Sequence, residues 1–77
     1  MTLAGMKDDD FLISLGAKLR QVRKDKGLSQ VEVCSKLKMD KTYLSAIENG
    51  HQNLSILTLK QILEAMDVDP KELVDFD

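Results

Sequence analysis

Apolar residues recur along the chain at intervals of three and four and never for long at an interval of two, so the pattern predicts helices and no strand. Phe11, Leu12, Leu15, Leu19 and Val22 form the stripe of a first helix, which opens at Asp9 or Asp10 as N-cap and stops at Gly27, a residue suited to a left-handed C-cap. Ser29-Gln30-Val31-Glu32 has the form of a capping box and begins a second helix that ends near Leu37. Asp40 caps a third helix of about ten residues, which buries Leu44 and Ile47 and terminates at Asn49-Gly50. Ser55 opens a fourth, whose Ile56, Leu59, Ile62, Leu63 and Met66 are too many for one narrow stripe and call for burial on more than one side. Asp69-Pro70-Lys71-Glu72 reads as the start of a fifth helix with proline in its first turn, and Leu73, Val74 and Phe76 give it an apolar side. Residues 1–8 lack any such pattern and are read as a flexible lead, with 9–77 as one all-α domain of five helices.

The second and third helices are joined by little more than Lys38 and Met39, so they must cross sharply, as in a helix-turn-helix. A sharp crossing needs a small side chain at its closest point, and Cys34 supplies it. Val31, Val33, Leu37, Met39, Leu44 and Ile47 stand where the helical periods would lock the pair to the body. Counted from Gln30, the small residue is fifth, the apolar turn residue tenth, and the anchors of the following helix fifteenth and eighteenth.

Composition narrows the possible chemistry. A chain of 77 residues makes one domain, and a domain of this size buries only about 60 to 65% of its unfolded surface, so a symmetric partner would add stability. One cysteine, Cys34, and one histidine, His51, exclude an internal disulfide and a zinc site of the usual spacing, and the cysteine usage fits a reducing, cytoplasmic setting. Cys34 itself reads as a core residue. No apolar run approaches the roughly 18 residues of a membrane span, and Lys7-Asp8-Asp9-Asp10 has the wrong sign for a targeting peptide. No motif positions a nucleophile, a general base or a phosphate loop, so an enzyme, a cofactor and a metal are not expected. The net charge of −2 changes meaning once the charges are placed along the chain. Residues 18–41 carry eight basic against three acidic residues, a net +5, and residues 42–77 carry two against seven, a net −5. The basic part can meet phosphates while the acidic part stays solvated or meets a partner.

Leu19-Arg20-Gln21-Val22-Arg23-Lys24-Asp25-Lys26-Gly27-Leu28-Ser29-Gln30, followed by Tyr43-Leu44-Ser45-Ala46-Ile47-Glu48-Asn49-Gly50, resembles the Cro/repressor-type (XRE) helix-turn-helix family over roughly residues 12–76. Met39-Asp40-Lys41-Thr42-Tyr43-Leu44-Ser45 and Gln52-Asn53-Leu54-Ser55-Ile56 are most similar to the controller proteins of restriction–modification systems, with Lys41 and Gln52 standing where those proteins commonly have arginine. Lys38 stands in the turn where the family often has glycine, so the resemblance implies a left-handed conformation for it. The resemblance implies a five-helix, lambda-repressor-like fold and a sequence-specific regulator of transcription that binds a palindromic double-stranded DNA operator as a homodimer. Two other readings use the same fold: a phage repressor, and a protein-interaction module such as an antitoxin.

Side chains at the start of a recognition helix reach base edges in the major groove, which makes Lys41, Thr42, Tyr43, Ser45, Ala46 and Asn49 the expected base contacts. Lys41 suits guanine O6 or N7. Gln30, in the first turn of the second helix, is expected on the DNA backbone and as a buttress of the third helix, and Arg20, Arg23, Lys24, His51, Gln52 and Asn53 are expected on the flanking backbone. Arg23 has an equal alternative in pairing with Glu48, Tyr43 in packing on the domain, and Asn53 in capping a turn. Met66, Leu73, Val74 and Phe76 are expected at the dimer interface, against an alternative in which they only close the core. The acidic end also suits a contact with RNA polymerase.

Overall fold

Three aspartates at the head of the chain's longest amphipathic stretch face the positive end of a helix dipole, and the helix starts among them. In the computed structural model, which describes residues 5–69, α1 spans Asp8–Asp25 with Lys7 at the N-cap and Asp8, Asp9 and Asp10 all in the first turn. The cap therefore lies two or three residues before the expected one, because the acids act through their charge inside the first turn and no side chain caps it. α2 (Gln30–Leu37), α3 (Lys41–Glu48) and α4 (Ile56–Ala65) follow. The described residues thus hold four helices, and the fifth expected from Asp69 onward falls on residues 70–77, outside them.

Each terminus has a local cause. At the head of α2 the Ser29 hydroxyl accepts from the Glu32 amide and the Glu32 carboxylate accepts from the Ser29 amide, both at 3.1 Å. The Ser29 amide, and then its hydroxyl, hold the Glu32 carboxyl below its usual range. Asp40 Oδ1 accepts from the Thr42 amide at 2.9 Å to open α3, and Ser55 Oγ accepts from the Thr58 amide at 3.0 Å to open α4. Lys38 takes the left-handed conformation expected of it, with φ 54 and ψ 38, and the chain turns at once, the Met39 amide donating back to the Cys34 carbonyl at 3.0 Å. α3 closes on a left-handed Gly50 (φ 76), whose amide donates to Ile47 O while that of His51 donates to Ala46 O. α4 ends the same way at Asp67 (φ 55), where the Val68 amide donates to Leu63 O.

α3 packs against α1 and α2, and α2 also packs against α4. The core they share consists of Leu15, Leu19 and Val22 of α1, Val33 and Cys34 of α2, Leu44 and Ile47 of α3, and Ile62, Leu63, Ala65, Met66 and Val68 around the end of α4. Leu37 and Met39 pack on its edge. Gly16 is buried where α1 crosses the C-terminal end of α3; a Cβ there would overlap the Ile47 carbonyl oxygen and stand 2.7 Å from that of Glu48. That close approach sets how far α3 sits from α1.

Three expectations about burial are corrected. Val31 is 60% exposed, because α2's first turn stands beside an open cleft and not under a neighbouring helix. Ile56 is 79% exposed, as is much of Leu57, so the first turn of α4 is not buried on more than one side; its burial begins with Leu59 and becomes complete at Ile62 and Leu63. Met66 is 2% exposed within its own chain, which removes it as a dimer contact, while Leu73, Val74 and Phe76 lie outside the described residues.

Candidate nucleic-acid interface

α3 is only two turns long, and its buried side is used by Leu44, Ile47 and Glu48. Its other side is left to Lys41, Thr42 and Asn49, all exposed, with Ser45 and Ala46 half-buried between them. These five line one shallow depression. Lys41, Ser45 and Asn49 also line a deeper cleft of about 450 Å³, shared with Arg20 of α1 and with Ser29, Gln30 and Val31 at the start of α2. Arg20 and Lys24 continue along α1 from the same edge, next to Asn49. Three helices thus bring their candidate side chains to one side of the molecule.

Behind that surface lies a buried polar cluster. Arg23 and Glu48, 7% and 5% exposed, form a bidentate pair, with Nε donating to Oε2 at 2.8 Å and Nη2 to Oε1 at 3.0 Å. Arg23 Nη1 donates to the Leu28 carbonyl at 2.8 Å, and Gln30 Nε2 donates to Glu48 Oε1 at 3.0 Å. Arg23 is therefore drawn inward and leaves the set of phosphate ligands, since a guanidinium committed on three nitrogens and covered by protein has no free face for a phosphate. The cluster ties α1 to the end of α3 and the start of α2. It also fixes Gln30: one amide proton is spent on Glu48, and the carbonyl and remaining proton are left toward the cleft.

The other expected residues are more scattered. Tyr43 is half-buried and packs against the core. His51, Gln52 and Asn53 are exposed in the loop after α3 but line none of these clefts, and Asn53 Oδ1 caps its own turn by accepting from the Leu54 amide at 2.8 Å. Two lysines of the basic segment are also partly engaged: Lys26 Nζ donates to Asp67 O at 3.1 Å and Lys36 Nζ to Ala65 O at 3.3 Å, where the carbonyls at the end of α4 favour a cation. Gln30 buttresses α3 as expected, through Glu48, whereas sequence reasoning missed the place of Val31 in the cleft. Burial pushes the Cys34 thiol up, with the charges of Asp40 and Glu48 adding to it, so the thiol stays protonated in its core slot.

Comparison with known proteins places this surface in context. The HTH_3 family model, described as helix-turn-helix, matches residues 19–73. Control protein C.MunI of Mycoplasma sp is 38% identical over 66 residues, which is 84% of this chain and 89% of that protein. The crystal structure of the restriction–modification controller protein C.AhdI from Aeromonas hydrophila is similar with a TM-score of 0.76 and 33% identity, covering 82% of this chain and 96% of that one. The controller protein C.Esp1396I, solved as a tetramer in complex with its natural 35 base-pair operator, is similar with a TM-score of 0.72 and 28% identity over 83% of this chain and 95% of that one.

Proposed function

Since the chain belongs to the HTH_3 helix-turn-helix family, a family of DNA-binding regulators, we propose that it is the controller of a restriction–modification system, a cytoplasmic protein without catalytic activity that binds a two-fold symmetric operator as a homodimer. The observation that carries this reading is the convergence of α3's exposed side with Gln30 of α2 and Arg20 and Lys24 of α1 on one surface. In this reading Lys41, Thr42, Ser45, Ala46 and Asn49 meet base edges, while Arg20, Lys24 and the free end of Gln30 meet the flanking phosphates. Tyr43, half-buried, presents its hydroxyl to the backbone, and His51, Gln52 and Asn53 approach the same strand from the loop. The similarity to controller proteins along most of the chain supports the regulatory assignment, and the operator-bound tetramer of C.Esp1396I supports assembly of more than one copy on DNA.

A homodimer needs a self-complementary surface. Ile56 and Leu57, adjacent on the first turn of α4 and exposed by 79% and 69%, are the large apolar side chains that a second copy would cover. They open α4, which follows the loop that leaves α3. There a two-fold axis brings two recognition helices to successive half-sites.

Electrophoretic shift in a salt series tests the reading. Binding to a selected duplex should weaken as salt rises, with log K against log salt falling by about 0.9 per phosphate neutralised. Absence of a shift at low salt with both selected and random duplexes would remove it.

A further inference from the structure

An exposed branched aliphatic side chain gains by burial when an apolar group of a ligand covers it. Among the described residues Val31 is the only large apolar one lining the cleft, at 60% exposure, and it shares that lining with Gln30, Lys41 and Ser45. The core does not require it: Val33 and Cys34 carry α2's burial. α2 does not require it either, since valine is a poorer helix former than alanine. What remains is the surface that the cleft faces.

Resting on the DNA-binding reading above, we infer that Val31 is a specificity-determining residue that reads the 5-methyl group of a thymine. In the major groove a thymine offers one apolar group, its C5-methyl, and aliphatic side chains recognise it by contact. That methyl sits on the side of the pyrimidine nearer its own sugar and phosphate, at the wall of the groove and not its floor. Val31 is placed to match. It adjoins Gln30, whose amide is held by Glu48 at the start of α2 where a phosphate is favoured, and it shares the cleft with Lys41 and Ser45 of the reading helix. A thymine beside the phosphate at Gln30, next to the base read by Lys41, brings its methyl to the valine. α2 then contributes sequence information as well as support.

Replacing single thymines of a bound duplex with deoxyuridine removes the methyl and nothing else. Titrated by fluorescence anisotropy, the native protein should lose about fourfold in affinity at one thymine per half-site, the worth of one buried methyl group. Val31→Ala should bind the parent duplex about fourfold more weakly and ignore deoxyuridine at that position, while staying sensitive to changes at the Lys41 base pair. Val31 is exposed and alanine favours the helix, so a loss of fold does not enter. If every deoxyuridine is tolerated by the native protein, or if Val31→Ala stays sensitive to the same deoxyuridine, the assignment to Val31 is overturned although the protein binds DNA. Failure of the native protein to bind any duplex would overturn the DNA-binding reading instead.

Discussion

With donors from α1 and α2 converging on it, the Glu48 carboxylate holds the interior of the site together while touching no ligand itself. Glu48→Gln removes the charge and leaves the Arg23 guanidinium buried without its counter-ion, which should cost about 3 to 5 kcal/mol in urea unfolding. Replacing both partners with apolar residues, Arg23→Met with Glu48→Leu, should recover most of that stability yet still weaken DNA binding, because Gln30 loses the acceptor that orients it. Outside the cluster, the proposed function gives Lys41 and Lys24 two kinds of contact, to a base and to a phosphate. Lys41→Ala should relax preference at one base pair by about 1 to 3 kcal/mol, whereas Lys24→Ala should weaken all duplexes alike and reduce the salt slope by about one. Binding measured across a set of single-base operator variants distinguishes them; an equal loss for Lys41→Ala on every duplex would make it a phosphate contact. Most of these residues were legible in the sequence, since a helix-turn-helix of this spacing fixes which positions of its second helix face outward. Arg23 was not decided there, because a cation and a carboxylate 25 positions apart give no sign of their pairing until α1 and α3 are packed.

Among the elements, the helix ends were the most readable, because caps are local chemistry. Ser29 with Glu32, Asp40, Ser55, Gly27 and Gly50 each perform in the structure the role their residue type suggests. Burial on the short helices was less so. In two turns the apolar period has too few repeats to fix its phase, and at a first turn nothing need lie overhead, so Val31 and Ile56 stand exposed where the pattern alone would bury them. Gly16 was silent for a different reason: mid-helix it looks like a weakness, and only the crossing of α3 shows its use. Gly16→Ala should be strongly destabilising, by more than about 3 kcal/mol in a thermal melt, since its Cβ meets backbone carbonyls that cannot turn aside. Gly27→Ala, where φ is 72 and the Cβ would meet open space, should cost about 1 kcal/mol. Equal losses would contradict the close approach of α1 and α3.

Over the whole molecule, only part of the basic segment is left to face a ligand. Of the eight basic residues between 18 and 41, Arg23 is buried in its pair, and Lys26 and Lys36 hold carbonyls at the end of α4. Arg20, Lys24 and Lys41 line the clefts on one side, and on the proposed function they are the cations that steer the protein toward DNA despite the net charge of −2. Assembly belongs to the opposite chemistry. Ile56→Asp with Leu57→Asp should leave the fold intact, as both side chains are largely exposed, and shift the protein to a monomer in sedimentation equilibrium. An unchanged mass would place the dimer contact elsewhere. The most direct test of the central claim is selection of bound duplexes from a randomised pool with the intact protein. The account predicts enrichment of an inverted repeat whose half-site centres lie about 10 bp apart. Retention of the pool with no sequence enriched would contradict it.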